Sequence, residues 1–399
     1  MHHYSRTGSF RKIALRKLPV GNRIQTKILK KRVKRTFSIH HWLGLLAGIF
    51  LLISSITGSV LVFHHEIDHA QFASHSTLEA PAAGLRIDNS IKRILQAYPG
   101  SDIRVPELPK DPNQALKYEI RKDGIRKWIF VHPQTGKALA TVARADKRLV
   151  HVLLDLHYNL LSGTPGKILV LLGGLSLILL SITGSILYRR SIWKVLSFRQ
   201  RVSFKSSRSF FSSLHRVIGV WSLVFNLLLS VTGSWIAFTI VQSALVPASA
   251  GAAEDAPSGI MSVDAVLEQV RGEYPEFEIN YLRFAGGAFS ILGRHKSDPA
   301  YYGSTSSYIQ VDLSSGGVKA VNLARDKPWN ERMLLVFKPL HFGDYAGPAV
   351  KLIYCFFGMM PGLLAVSGFF IWRLKNNKTD KLMQKRKVPV RYSHTGGAV

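Results

Sequence analysis

One uncharged stretch constrains this chain of 399 residues more than any other feature. From Trp42 to Phe63 there are 22 consecutive residues without a charge, with histidine pairs at 40–41 and 64–65 on either side. At about 1.5 Å per residue, a helix of this length spans roughly 30 Å, the hydrocarbon thickness of a bilayer. The stretch therefore predicts a membrane-spanning helix with imidazoles at both ends.

The distribution of charge indicates a membrane protein rather than a nucleic-acid-binding one. The chain carries 53 Lys and Arg against 24 Asp and Glu, a formal net charge of +29. The segments before His40 and between the second and third apolar runs are basic and contain no acid, whereas 66–164 and 241–346 are nearly balanced. Short basic segments that alternate with long neutral ones follow the positive-inside rule. We therefore expect a multi-pass membrane protein with both termini in the cytoplasm.

The apolar runs and charged segments predict nine regions. In chain order they are a basic cytoplasmic segment 1–38, a first span 39–65, a periplasmic module with its return helix 66–164, a second span 165–190, a basic cytoplasmic loop 191–213, a third span 214–241, a second periplasmic module with its return helix 242–346, a fourth span 347–374 and a basic cytoplasmic tail 375–399. We expect 1–38 to be disordered or to lie on lipid headgroups. Each module reads as a helix followed by strands, three in the first and four in the second, with a small-residue linker at 251–257.

The two halves of the chain repeat each other. His40 in Ser38–Gly44 aligns with His215 in Ser213–Gly219, and Leu156-His157 aligns with Leu340-His341. Since each half crosses the membrane twice, both halves have the same orientation, which predicts a parallel repeat about an axis along the membrane normal. The predicted fold is therefore a membrane α-helical protein of four transmembrane helices from a two-fold parallel repeat, with two periplasmic α+β modules.

The repeat sorts the histidines into two matched pairs. His40 and His215 are expected at one depth, and His157 and His341 at another, on opposite sides of the axis. Two helices that each offer an imidazole across an axis can hold a planar cofactor, and haem b with two histidine ligands fits best, which makes two haem b per chain. The single Cys355 excludes an iron–sulfur site built on several cysteines. The alternative is that these histidines only form hydrogen bonds between helices.

Other residues near these levels remain candidates. His64 and His65 are alternative ligands on the outer side. Lys167, Lys351 and Arg216 could pair with haem propionates, with interfacial anchoring as the alternative. A third feature is a hydroxyl residue followed by glycine, which favours close helix packing and could also leave room for a flat macrocycle. This motif occurs at 57–58, 183–184, 232–233 and 367–368.

Taken together, the histidine, Thr-Gly and Leu-His motifs over 40–375 resemble the PepSY-associated transmembrane proteins. In the second module, Asp312 begins a turn that is similar to the Asp-x-x-(Thr/Ser)-Gly turn of that family, whereas His132 stands at the corresponding position in the first. The resemblance implies a di-haem inner-membrane reductase of ferric siderophores, ferrioxamine reductase among them. Electrons are then expected to pass from the His40–His215 level to the His157–His341 level and on to a ferric siderophore in the periplasm.

Neither the electron donor nor the acceptor follows from the motifs alone. No nicotinamide or flavin motif follows a strand, so the donor is expected to be a separate cytoplasmic-side protein, a diffusing reductant or a quinol. Two alternatives stay open: a haem-free PepSY regulator that inhibits periplasmic peptidases, and a di-haem electron carrier to another acceptor, such as copper, another protein or quinone. No side chain is predicted to be catalytic.

Overall fold

A computed structural model describes residues 20–246, 261–312 and 314–387. The predicted linker 251–257 and the chain ends 1–19 and 388–399 lie outside these ranges. Within them, four helical stretches are long and apolar enough to cross a membrane: Ile28–Leu61, Gly163–Tyr188, Leu223–Leu245 and Pro348–Asn376. The prediction of a membrane α-helical protein is therefore supported, and a sizeable sheet accompanies the helices.

Fourteen α-helices lie in the described ranges, numbered here in chain order. They are α1 Val20–Leu61, α2 His64–Gln71, α3 Ala73–Ser76, α4 Asp88–Ala97, α5 Leu149–Asn159, α6 Gly163–Tyr188, α7 Ile192–Leu196, α8 Ser207–Trp221, α9 Leu223–Leu245, α10 Val263–Glu273, α11 Trp329–Leu335, α12 Phe337–Phe342, α13 Pro348–Gly358 and α14 Met360–Lys387.

The helices differ from the predicted spans in two respects. Residues 20–38 are helical rather than disordered, because Lys, Arg and Gln are good helix formers and α1 extends from the span without a new nucleus. The predicted third and fourth spans each consist of two helices, which meet at Ser222 and at Met359. Both of these residues keep right-handed helical dihedrals, so the chain direction continues through each junction.

The chain forms two compact units, and each membrane-spanning stretch contributes to both. The first unit comprises the described parts of Met1–Leu52, Ser176–Leu227 and Met360–Val399. In it α8 packs along α14, and the rings of Phe211 and Phe370 stack 4.5 Å apart. Glycines on α1 and α8 face apolar side chains of neighbouring helices at van der Waals distance, which permits close helix packing.

The second unit comprises Ile53–Leu175 and Leu228–Met359 and contains one antiparallel sheet. Its strands are β1 Asp102–Val105, β2 Leu116–Lys122, β3 Ile125–Val131, β4 Ala138–Val142, β5 Phe277–Ala285, β6 Ala288–His295, β7 Ser307–Asp312 and β8 Val318–Asn322. They are ordered β4-β3-β2-β1-β5-β6-β7-β8. The order is a palindrome in which β1 pairs with β5 and joins the strands of the two soluble segments.

Strand β1 was missing from the sequence prediction. It has four residues, in which buried Ile103 and Val105 alternate with half-buried Asp102 and Arg104. Such a short alternation is a weak strand signal on its own, because its pairing partners lie far away in sequence. With β1 included, each soluble segment contributes one helix and four strands. Helices α4 and α10 cover one face of the sheet and form with it a single apolar core.

Each of these two helices is capped by a carboxylate from the other. Asp88 of α4 accepts hydrogen bonds from Ser262 Oγ (2.5 Å) and Val263 N (2.8 Å) at the start of α10. Asp264 of α10 accepts from Ile87 N (2.9 Å) and Asp88 N (3.2 Å) at the start of α4. Ser262 is also the N-cap of α10. The reciprocal caps fix the two helix N-termini against each other.

The turn residues that differ between the two soluble segments have similar roles. Asp312 accepts hydrogen bonds from the backbone N–H groups of Ser314 (2.8 Å) and Ser315 (3.3 Å). His132 Nδ1 accepts from the backbone N–H groups of Gln134 and Thr135, both at 3.3 Å. Either side chain can fold the turn because each presents one acceptor to the same two donors.

Candidate functional site

The first pair of histidines predicted to face each other does so within the first unit. His40 lies on α1 and His215 on α8, and their ring centroids are 6.3 Å apart with an interplanar angle of 89°. Both helices begin far before the histidine, and the N-cap Ser206 accepts a hydrogen bond from Ser209 N at the start of α8. The rings are therefore carried by well-formed helices rather than by loops.

The second pair lies within the second unit and has the same separation. His157 is near the end of α5 and His341 near the end of α12, with ring centroids 6.3 Å apart and an interplanar angle of 44°. Both helices end in a left-handed residue, Leu160 after α5 and Gly343 after α12. The chain therefore turns immediately after each histidine and leads into the next membrane-spanning helix.

All four imidazoles use Nδ1 in the same way, since each is within hydrogen-bond distance of the hydroxyl of a Thr/Ser-Gly motif. The four contacts are His40 with Thr183 (2.9 Å), His157 with Thr57 (3.1 Å), His215 with Ser367 (2.9 Å) and His341 with Thr232 (3.2 Å). His157 Nδ1 also lies 3.0 Å from the carbonyl oxygen of Ser54. Each motif therefore supports one histidine.

The hydrogen bonds of these hydroxyls determine the imidazole tautomer. Thr57, Thr183 and Thr232 donate to the carbonyl four residues earlier, at 2.8, 2.7 and 2.7 Å, and Ser367 donates to Leu364 O at 3.1 Å. A hydroxyl has one proton, so each oxygen must accept from the histidine. The proton of each ring is then on Nδ1, and the lone pair is on Nε2. This is the arrangement that a second hydrogen-bonding residue imposes on a metal-binding histidine.

The glycine of each motif lies against the imidazole itself rather than against space for a macrocycle. A Cβ added at Gly58 would be 2.7 Å from His157 Cε1, and one at Gly233 would be 2.7 Å from His341 Cε1. A Cβ added at Gly184 would be 3.3 Å from His40 Cε1, and one at Gly368 would be 3.7 Å from His215 Cε1. In each motif the hydroxyl residue therefore provides a hydrogen-bond acceptor for the imidazole, and the glycine leaves room for the ring.

The ring separations fit two imidazoles that share one metal ion. With metal–nitrogen distances of about 2 Å on opposite sides of an ion, the ring centroids are about 6 Å apart, and the rings can take any rotation about the shared axis. Both observed separations of 6.3 Å match this geometry. The described ranges contain no group of three or more His, Cys, Asp and Glu side chains able to hold a metal ion. A cofactor whose metal needs only two protein ligands therefore suits each pair.

Burial keeps the second pair neutral. It lowers the pKa of His157, and burial followed by the neighbouring His157 lowers the pKa of His341 to about 4. A neutral imidazole retains the Nε2 lone pair that a metal ion needs.

The alternative ligands His64 and His65 are engaged elsewhere. Their rings contact each other at a centroid distance of 4.1 Å. His64 Nδ1 lies 3.0 Å from Leu61 O, and His65 Nε2 lies 3.6 Å from Asp344. The structure therefore favours His157 and His341 over these two as a facing pair.

The three basic residues predicted to meet propionates have different surroundings. Lys351 is buried and forms ion pairs with Glu66 (2.8 Å) and Asp344 (3.2 Å), so its charge is already balanced by protein. Lys167 lines an open pocket with Tyr158 and with the end of α9. Arg216 donates from Nε to Ser212 O (2.9 Å). A propionate contact stays a prediction for all three residues, and Lys351 is the least suited because Glu66 and Asp344 already pair with it.

The residues that sequence reasoning missed are the hydroxyl acceptors Thr57, Thr183, Thr232 and Ser367. We interpreted their motifs as helix-packing features. The sequence did contain a signal for them, because there are four such motifs, one in each span, and four candidate histidine ligands.

Comparison with known proteins places the chain among membrane proteins. A family model described as the PepSY-associated TM region matches residues 37–375. The chain is also similar to the uncharacterized protein PA4219 of Pseudomonas aeruginosa, with 27% identity over 252 residues. This match covers 55% of the present chain and 62% of the relative, so the chain spans less than two thirds of that protein's length. Because the family model covers most of its length, the chain belongs to the PepSY-associated transmembrane family.

Proposed function

We propose that this protein is a bacterial inner-membrane di-haem oxidoreductase that passes electrons across the membrane to a ferric siderophore in the periplasm. His40 and His215 would hold one haem b, and His157 and His341 the other. The proposal includes the parallel repeat, the two PepSY-like modules and cytoplasmic termini. The electron donor is a cytoplasmic-side reductant or a quinol.

One observation carries the proposal, namely the occurrence of the same ligand arrangement twice. Both histidine pairs have a centroid separation of 6.3 Å, and all four rings present Nε2 because a hydroxyl engages Nδ1. Histidines that only joined helices would not need a common separation or a common tautomer. The palindromic strand order supports the repeat in the same way.

The protein itself would hold and orient the two haems. Haem b, when bound, would supply reversible one-electron transfer, and reduction of Fe(III) weakens its binding to siderophore oxygens. The four histidines would hold the haem iron through Nε2, and the Thr/Ser hydroxyls would orient the imidazoles and raise the basicity of Nε2.

The experiment that tests the proposal counts haem in purified protein by pyridine haemochrome. Wild type is expected to contain two haems per chain, and each of His40→Ala, His215→Ala, His157→Ala and His341→Ala is expected to contain one. The double variant His40→Ala/His157→Ala is expected to contain none. His65→Ala is the matched control, since its ring belongs to neither pair, and it is expected to retain both haems.

The acceptor requires a second measurement. Reduced wild-type protein mixed with a ferric siderophore in a stopped-flow instrument is expected to be reoxidised while a ferrous-specific chelator traps the released iron. Wild type without a Soret band would contradict the proposal and favour the regulator of peptidases. Two haems without ferric-siderophore turnover would favour the electron carrier to another acceptor.

A further inference from the structure

The sheet of the second unit has one charged face. Arg104 on β1 is paired with Glu119 on β2 and with Arg283 on β5. Asp102 on β1 is paired with Arg121 on β2, which is itself paired with Arg126 on β3. Directly paired residues share a face, and so do residues two apart along a strand. We call this surface the charged face, and it consists of Asp102, Arg104, Glu119, Arg121, Arg126 and Arg283. The apolar residues between them point to the other side, where α4 and α10 lie.

On the charged face each carboxylate has two arginine partners. Asp102 pairs with Arg104 and with Arg283 (2.9 Å). Glu119 pairs with Arg121 (2.8 Å) and Arg126 (3.3 Å). Burial alone would raise the pKa of both carboxyls, but the hydrogen bonds and charges of the arginines lower it, so both are ionised at neutral pH. Four guanidinium groups therefore face two carboxylates, and the surface has excess positive charge.

One further cation near this face, Lys338 of α12, has no carboxylate partner among the described residues. Partial enclosure in protein, followed by the charge of Arg104, lowers the pKa of Lys338. The residue is nevertheless exposed to solvent. Lys338 therefore adds to the excess positive charge beside Arg104.

The charged face is on the side of the sheet that faces the second histidine pair. Arg126 interacts electrostatically with Tyr158, the residue after His157. Lys338 interacts with Arg104 and is three residues before His341. A molecule bound between the charged face and helices α5 and α12 would therefore contact the helices that carry both histidines.

We propose that the charged face, with Lys338, binds the electron acceptor as an anion, so that the substrate class is a ferric chelate with net negative charge. This inference rests on the proposed function and narrows it, because it excludes positively charged chelates as preferred substrates. A merely structural set of ion pairs would match its cations with carboxylates. Here Arg283 and Lys338 are exposed to solvent, where an anion supplies the missing negative charge.

The test measures binding of gallium(III) chelates, which have the charge and shape of ferric chelates but cannot be reduced under these conditions. Purified full-length protein is titrated calorimetrically with an anionic gallium tricatecholate and with the cationic gallium complex of desferrioxamine B. We expect the anionic complex to bind at least about tenfold more tightly, with a preference that falls as ionic strength rises.

Arg283→Glu and Lys338→Glu are each expected to weaken binding of the anionic complex about tenfold or more. The matched control Lys92→Glu makes the same charge change on α4, on the opposite side of the sheet, and should leave binding unchanged.

Three results would overturn the inference. Equal affinity for the two complexes would show that the face does not select charge. Unchanged binding in Arg283→Glu would place the site elsewhere. A loss of haem rather than of chelate binding in Lys338→Glu would show that these cations hold haem carboxylates. Because gallium binding needs no electron transfer, the two binding results are independent of the haem count and iron release that test the proposed function.

Discussion

The two histidine pairs have the same separation but are held in different ways. His40 and His215 lie within long helices, and the glycines opposite them, Gly184 and Gly368, leave 3.3 and 3.7 Å for an added Cβ. His157 and His341 lie on helices of 11 and 6 residues, and Gly58 and Gly233 leave only 2.7 Å. A long helix is positioned by packing along its whole length. A short one depends on a few tight contacts, so the second pair should be much more sensitive to change at its glycines.

The largest expected effect is at those glycines. In Gly58→Ala or Gly233→Ala, the new Cβ overlaps the imidazole, and the ring must leave its hydroxyl acceptor. We expect loss of one haem per chain by pyridine haemochrome, with about 1–3 kcal/mol of strain in any molecule that keeps the ring in place.

The matched controls for this prediction come from the first pair. Gly368→Ala adds an ordinary van der Waals contact and should retain both haems, while Gly184→Ala should fall between the two extremes. Equal haem content in Gly58→Ala and Gly368→Ala would mean that the tight contact does not position His157, and the distinction between the pairs would be wrong.

The spans were predictable from sequence because membrane insertion needs only length and apolarity. The stretch from Trp42 to Phe63 meets both requirements without help from the rest of the chain. The helix breaks at Ser222 and Met359 were not predictable in this way, since each interrupts an apolar pattern that would suit a continuous helix. Strand β1 was missed for a related reason: four residues stabilise a strand only through partners on β2 and β5, which are remote in sequence.

The candidate site was predictable to the level of the histidines and no further. The repeat aligned His40 with His215 and His157 with His341, and the structure brings each pair together. The alignment compares one half with the other, so it cannot show that His40 meets Thr183 of its own half. That contact depends on how α1 packs against α6, which a sequence pattern does not specify.

The hydroxyl acceptors provide a second comparison, with a smaller expected effect. In Thr183→Val, His40 Nδ1 loses its hydroxyl contact at 2.9 Å and retains only its interaction with the backbone carbonyl of Leu180. In Thr57→Val, Ser54 O remains 3.0 Å from His157 Nδ1 and can still accept. Residues that support metal ligands typically contribute about 10–100-fold in metal affinity. We expect haem transfer to apomyoglobin to accelerate within that range in Thr183→Val and by less in Thr57→Val.

Conservative replacement separates orientation from packing in that experiment. Thr183→Ser keeps the hydroxyl and removes a methyl group, so it should lose haem at close to the wild-type rate. If Thr183→Ser and Thr183→Val behave alike, the methyl contact rather than the hydrogen bond would be responsible. If Thr57→Val is the more damaging of the two valine variants, the carbonyl of Ser54 would not be a working acceptor.

The smallest expected effect concerns the one motif with serine instead of threonine. Ser367 bonds to His215 at 2.9 Å, and the adjacent Gly368 leaves more space beside the ring than any of the other three glycines. A β-branched side chain has fewer χ1 rotamers in a helix, so Ser367→Thr should hold the acceptor oxygen in place more of the time. We expect haem loss from the His40–His215 site to slow by less than about threefold, since the hydrogen bond itself is unchanged. Faster loss would show that the space beside His215 is needed by the ring, and the first pair would then be as tightly constrained as the second.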